Sequence, residues 1–246
     1  MDRSLYISMS GAKETLRAQA ANNHNLANVS TSGFRADMSA FQSRAVEGSG
    51  YTSRLYATDS TTGWNDRSGA LISTGNPLDV AVHGDGWIAV QARDGTEAYT
   101  RAGDMRLDPN GMLTNSAGHP VMGDGGPITI PPNTSLDVAP DGSISIVPQG
   151  QGPETTSIIG RIKLVNPPRE QMIRGADGLF RVADGSIPEA DASVKLATGN
   201  LETSNVNVAD AMVQMIELAR HFDLQVKSMR AAEDTGAAST RILSLT

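Results

Sequence analysis

Apolar residues recur at helical spacing at both ends of this chain, and at every second position in the roughly 130 residues between them. Near the C-terminus Val208, Met212, Met215, Ala219, Phe222, Val226 and Met229 step by four and three in strict alternation. Near the N-terminus Leu5, Met9, Ala12, Leu16, Gln19, Asn23 and Leu26 step the same way, less purely. The spacing predicts a helix over residues 3–28, about 39 Å long at 1.5 Å per residue, with Asp2 or Ser4 as its cap. A second helix is predicted from about Val206 to Leu243, about 57 Å long, with Asn207 and Asp210 placed as a capping box. Asp223 and Lys227 are spaced to pair on its outer face. A heptad seam needs a partner to bury it. The two ends can supply that to each other, but a stripe this long also invites neighbouring copies. Asn22, Asn23, Asn25 and Asn28 are poor helix formers near a helix end, so fraying is expected there unless their amides reach packed backbone.

From Arg44 to Gly69 the chain turns to Ser, Thr, Gly and scattered aromatics, which predicts an extended connector. The period then becomes two. Leu78–Val82, Trp87–Val90, Ile128–Ile130, Leu136–Val138, Ile144–Ile146, Ile162–Val165, Leu179–Val182 and Val194–Leu196 are short apolar runs. Between them stand Asp94-Gly95, Asn110-Gly111, Asp141-Gly142, Asp177-Gly178 and Asp184-Gly185, and Asx-Gly pairs flanked by such runs are hairpin signals. The fold class expected is α+β and multidomain. The terminal helices form a coiled-coil-like domain from residues 1–36 and 204–246; residues 37–70 connect it to an antiparallel β-domain over 71–203.

Charge and composition sharpen this picture. The net charge is −7, and all of the excess lies in the middle: residues 1–50 hold five basic and four acidic side chains, and residues 206–246 hold four and five. Neutral ends beneath an acidic centre suit like subunits packing through their termini. Nucleic acid is not an expected partner without a basic face. There is no cysteine, which excludes disulfides, thiolate metal sites and cysteine nucleophiles. No run of 18 apolar residues predicts membrane insertion, and the opening residues lack the apolar core of a cleavable signal.

No catalytic pattern emerges. His24, His83, His119 and His221 show no ligand spacing, and the loop around Asp108 and Asn110 lacks the carboxylate ladder of a calcium site. Gly123-Asp124-Gly125-Gly126 has no lysine and no helix after it, so it is no phosphate loop. No catalytic, metal or cofactor-binding residue is expected, and no cofactor. Asp is abundant, but at turns, where backbone geometry selects it.

Three stretches together resemble the flagellar basal-body rod and hook protein family. One is Asn22-Asn23-His24-Asn25-Leu26-Ala27-Asn28-Val29-Ser30-Thr31-Ser32-Gly33-Phe34-Arg35, in which His24 and Asn25 interrupt the family's usual run. The second lies within Leu78–Gly123 and includes Gly84-Asp85-Gly86-Trp87, Ala98-Tyr99-Thr100-Arg101-Ala102-Gly103 and Asp108-Pro109-Asn110-Gly111, with Ala102 where the family generally has Asn. The third is Gly199-Asn200-Leu201-Glu202-Thr203-Ser204-Asn205-Val206-Asn207-Val208. Within the family, the Met1-Asp2 opening, short connector and modest middle are most similar to proximal-rod members. The resemblance implies a structural subunit of the rod, exported through the flagellar type III apparatus without a cleaved signal and polymerised helically in the periplasm. Its partners would be copies of itself and other rod proteins, and its task to carry motor torque towards the hook. The residues expected at subunit interfaces are Leu5, Met9, Leu16, Leu26, Asn28, Val208, Met212, Met215, Phe222, Val226 and Met229. Gly33 and Phe34 are expected among these interface residues too, where they would set the exit from the first helix. Distal-rod or hook-type subunits are the nearest alternatives. A periplasmic carbohydrate-binding module is a more distant one, and would show aromatics gathered on one face; an unmarked glycan hydrolase is another.

Overall fold

Helix α1 spans Arg3–Ala27 and helix α2 spans Val208–Leu243, with β-structure between them. The computed structural model of the chain describes residues 3–45, 55–150 and 155–243. The expected cap Asp2 and residues 46–54 of the expected connector lie outside the described residues, and Ser4 falls inside α1 rather than before it. Contacts divide the chain into two units. One holds α1, α2 and residues 36–65; the other holds residues 30–35 and 66–205.

In the first unit α1 and α2 run antiparallel. Ser8 Oγ shares a 3.0 Å hydrogen bond with Ser228 Oγ, Gly11 faces the Gln225 side chain, and Asn22 Nδ2 donates to the Ala211 carbonyl at 2.7 Å. The side chains α1 buries are small or polar: Ser8, Ala12, Glu14, Thr15, Ala18 and Asn22. Small residues on one helix let the other approach closely, so the larger Met215, Leu218, Phe222 and Met229 of α2 are partly covered against them. Asn207 caps α2 by accepting the Ala209 N–H at 3.0 Å. The ion pairs among the described residues do not include Asp223 with Lys227, a pair worth only a few tenths of a kcal/mol on an exposed helix face.

Two differences from expectation follow. The end of α1 does not fray: Asn22 reaches α2, Asn25 bonds both N–H and carbonyl of Asp37 at 2.8 and 2.9 Å, and Asn28 Nδ2 donates to the His24 carbonyl at 2.9 Å. The amides find packed backbone, which offsets their poor propensity. The stretch expected as an extended connector holds an antiparallel hairpin, β1 (Asp37–Ala45) and β2 (Leu55–Trp64), packed along α1.

The second unit is antiparallel throughout. Its largest sheet has five strands in the order Leu164–Val165, Trp87–Gln91, Glu97–Thr100, Phe180–Val182, Met172–Arg174. A three-stranded meander runs through Asn133–Val138, Ser143–Pro148 and Ser157–Arg161; Val80–His83 pairs with Lys195–Thr198 and Leu71–Ser73 with Asn200–Glu202. Aliphatic side chains make the core, among them Val80, Ile88, Val90, Leu113, Val121, Ile144, Ile146, Ile162 and Leu164. Ile128–Ile130 is not a full strand. Thr129 makes a single bridge to Met112, because Pro127 and Pro131 on either side have no N–H for a ladder.

All five Asx-Gly glycines are left-handed, with φ between 74 and 86°. Each glycine N–H returns to the carbonyl three residues back, as Gly95 does to Ala92 and Gly142 to Ala139. Among the described residues no residue other than glycine has positive φ, so these are type I turns ending in a left-handed glycine, not the mirror-image two-residue turns. Aspartate suits them because its carboxylate accepts a nearby N–H. The Ser143 N–H, then its hydroxyl, holds the Asp141 carboxyl below its ordinary range. The Thr96 hydroxyl does most of the same for Asp94, and the Met112 N–H for Asp108.

Candidate assembly surfaces

Three places stand out: the buried junction where the chain enters and leaves the β-unit, the outer faces of the helix pair, and a groove beside that pair.

The junction belongs to the second unit. Gly33 sits at φ +63°, its N–H donates to the Glu202 carbonyl at 2.8 Å, and a Cβ there would overlap the Arg101 backbone. Phe34 is buried, with the Arg174 guanidinium 4.5 Å from its ring centre. Arg35 and Glu202 are each 1% exposed and meet at 2.6 Å. Arg101 reaches the other Glu202 oxygen at 3.2 Å, donates to the Gly84 carbonyl at 2.8 Å, and lies 5.4 Å from the Trp87 ring centre. The Gly69 N–H also donates to Glu202, at 2.9 Å. Two guanidiniums therefore share one carboxylate, which leaves one surplus positive charge in the interior. Among the described residues, Arg35 Nε and Nη2 and Arg101 Nε have no hydrogen-bond partner. Burial pulls the Arg101 guanidinium below its ordinary value, and Glu202 opposes that. Gly33 and Phe34 were expected at the exit from the first helix, and the structure places both in this junction. Arg35, Arg101 and Glu202 were not singled out, although each of the three stretches quoted above contributes one of them.

The helix pair sorts the other expected interface residues. Leu5, Leu26, Met215, Phe222, Val226 and Met229 are partly covered. Met9 and Leu16 on α1 are 52% and 50% exposed, and Met212 on α2 is 55% exposed; Val208 is exposed as well. Tyr6, Val213, Ile216 and Leu224 join them at the surface. The heptad written in large apolar residues is thus not the one buried between α1 and α2. On α1 the buried residues begin one position before the predicted seam, at Ser8, Thr15 and Asn22 in place of Met9, Leu16 and Asn23. On α2 Met215, Phe222 and Met229 stay, Ala211 and Leu218 face inward in place of Met212 and Ala219, and Gln225 is partly covered alongside Val226. Asn28 closes the end of α1 on its own turn.

The groove has a volume of 420 Å³ and lies between α1, α2 and the start of β1. Ala18, Ala21, Leu218 and Met38 give it an apolar floor, and Glu217 and Asp37 stand at its rim. His24 Nδ1 lies 2.6 Å from Asp37 Oδ2, so the residues that interrupt the asparagine run, His24 and Asn25, both tie α1 to β1.

Other features of the described residues are as follows. No group of three or more His, Asp or Glu side chains is placed to hold a metal ion. Of the aromatics a carbohydrate-binding face could display, Trp64, Trp87 and Tyr99 are buried, and the side chains of Tyr51 and Tyr56 lie outside those described. Burial pushes the Tyr99 hydroxyl well above its ordinary value. Among the described residues, no helix is long and apolar enough to cross a membrane.

Comparison with known proteins agrees with the sequence stretches quoted above. Residues 81–146 match the family model described as the flagellar hook protein FlgE/F/G D1 domain, and residues 197–242 match that of the flagellar basal body rod FlgEFG protein C-terminal region. The flagellar basal-body rod protein FlgF of Salmonella typhimurium is 41% identical over 251 residues, covering all of both chains. FlgF of Escherichia coli is 40% identical with the same coverage. FlgG of Buchnera aphidicola from Acyrthosiphon pisum is 34% identical over 94% of this chain and 95% of the relative.

Proposed function

The chain belongs to the flagellar basal-body rod protein family, as a structural subunit of that rod, and from this we propose how it is built in. It is a proximal-rod subunit that polymerises helically through its terminal helices and passes motor torque towards the hook. The helices form a coiled-coil-like pair whose outer faces are sheathed by copies of itself and by other rod proteins. The chain reaches the periplasm through the flagellar type III export apparatus, without a cleaved signal, and its work is mechanical rather than catalytic.

The observation that carries this reading is the uncovered apolar stripe: Met9 and Leu16 on α1, with Val208, Met212, Val213, Ile216 and Leu224 on α2. Fully burying such a side chain stabilises by about 1.5–3 kcal/mol, so covering the exposed half gains about 1 kcal/mol each. The stripe is then worth about 7 kcal/mol in all. Association costs about 4–15 kcal/mol in lost freedom. The whole stripe falls within that range, so a neighbour that covers only part of it holds the subunit weakly, and several at once hold it better. That property suits a part that stays monomeric in transit and locks only on a growing shaft. Head-to-tail contacts that do not close generate a helical filament, and interdigitated helix faces make it torsionally stiff.

Leu16→Asp tests the proposal better than Phe222→Asp, because Phe222 also packs within the helix pair. The expected result is a chain that folds with stability within about 0.5 kcal/mol of the parent but gives cells without complete rods and without motility. Normal rods containing Leu16→Asp would overturn it.

A further inference from the structure

The β-unit holds a cavity of 350 Å³ that is separate from the buried junction. Two loops line it: the glycine-rich turn at Gly123, Asp124 and Gly126, and the loop carrying Ile187 and Glu189. Neighbouring strands fix a charged floor for it. Glu97 opens one strand, and Lys163 is tied to two others, donating its N–H to the Met122 carbonyl at 2.9 Å and accepting the Ala89 N–H at 3.0 Å. The two side chains meet at 2.7 Å with only 9% and 13% exposed, and the Tyr99 hydroxyl donates to Glu97 at 3.1 Å. The Lys163 charge is therefore spent on Glu97. Asp124 and Glu189 have no such match: neither makes a hydrogen bond or ion pair among the described residues. Two uncompensated negative charges thus stand beside apolar Met122 and Ile187, the latter 65% exposed.

We propose that this cavity receives a lysine side chain from a partner protein of a different kind. A cavity of about 150 Å³ accommodates benzene, so 350 Å³ takes an aliphatic stem and its ammonium with water to spare. Met122 and Ile187 suit the stem and the free carboxylates suit the head. Lysine fits better than arginine, because a compact ammonium with rotatable donors can serve carboxylates on separate loops, whereas a planar guanidinium is shaped for one. A second copy is the wrong partner. Residues 66–205 hold 17 acidic and 10 basic side chains, so like units repel where the cavity opens. A free amine is the wrong ligand, since it leaves Ile187 bare, and the polypeptide that carries a lysine covers it. The contact lies on the β-unit alone, so it stands or falls apart from the helix assembly proposed above.

The probe is a blocked Ala-Lys-Ala tripeptide, titrated into the dilute full chain while amide resonances are followed by NMR. Saturating shifts should be confined to the two loops, with a Kd of about 1 mM at low salt. The norleucine tripeptide has the stem without the charge and should bind at least about five-fold more weakly, the upper worth of an exposed ion pair. Cadaverine, an amine with the same reach and no polypeptide, should also bind more weakly. Asp124→Asn and Glu189→Gln should each weaken the lysine probe by about two- to five-fold, and their effects should multiply. Unmoved amides across Val80–His83 check that these variants stay folded. No saturating shift by about 20 mM probe would overturn the proposal. So would shifts spread over the acidic surface, equal binding of the norleucine peptide, or full binding by the doubly substituted chain. Cadaverine binding more tightly than the tripeptide would show a small-amine site and overturn the protein partner.

Discussion

Removing the charge of Glu202 should damage the β-unit more than removing either charge it neutralises. Glu202→Gln keeps the shape of the side chain but leaves Arg35 and Arg101 facing each other, both charged, at 1% and 4% exposure. Breaking a buried pair by deleting one partner costs about 3–5 kcal/mol, because an uncompensated charge stays behind. Here two are left, and the amide accepts from one arginine at most, so about 5 kcal/mol is expected. Arg101→Met removes the surplus charge instead, leaving Arg35 and Glu202 paired one to one. It forfeits the bond to the Gly84 carbonyl, about 1–3 kcal/mol for an acceptor left unsatisfied. With a urea dependence of about 2 kcal/mol per molar, the midpoint should fall by about 2.5 M for Glu202→Gln and by about 1 M for Arg101→Met. Trp87, beside Arg101, reports the transition by fluorescence in a Trp64→Phe background. Adding 0.5 M salt should leave the gap unchanged, since the charges are buried. Equal midpoints for the two variants, or a gap that closes with salt, would refute the charge accounting.

Two further outcomes follow from local geometry. Gly33→Ala forces a side chain into the left-handed region and against the Arg101 backbone, so a loss of about 3 kcal/mol and a Tm drop of about 6–12 °C are expected by calorimetry; a change under about 1 °C would contradict the close approach. The carboxyls of Asp94, Asp108, Asp141, Asp184 and Asp191 are held below their ordinary value by turn hydroxyls and N–H groups, and that of Asp177 by Arg181. A depressed folded pKa stabilises above the unfolded value of about 3.9 and is lost as pH falls through the folded one, so the urea midpoint should hold from about pH 7 to 5 and fall below about pH 4. A midpoint that rises below pH 4 would contradict that sign.

Element types were the most legible part of this chain, and packing partners the least. Asn207 and the seam behind it give the start of α2 within two residues, because capping and periodicity are local properties. The Asx-Gly pairs mark their turns because only glycine takes left-handed φ cheaply, but the turn type depends on the hydrogen bonds of the flanking strands. β1 and β2 escaped notice since their Ser- and Thr-rich composition reads as loop, and what makes them strands is their backbone pairing with each other. The phase of the helix seam is the most instructive miss. Large apolar residues dominate a periodicity, yet helices approach most closely through small ones, so Ser8, Gly11, Thr15 and Ala18 took the inner face and left Met9 and Leu16 outside. Arg35, Arg101 and Glu202 were hidden for a different reason. Charged side chains read as surface unless their partners are known, and these three are 66 or more positions apart.

The account turns on whether α1 and α2 have apolar faces that only other subunits cover. Hydrogen–deuterium exchange on the full chain, as dilute monomer and in assembled rods, measures this most directly. The monomer should exchange slowly across Trp87–Gln91 and Glu97–Thr100 and quickly along α1 and the last third of α2, and both helices should become strongly protected in the rod. Helices already as protected in the dilute monomer as in the rod would contradict the account.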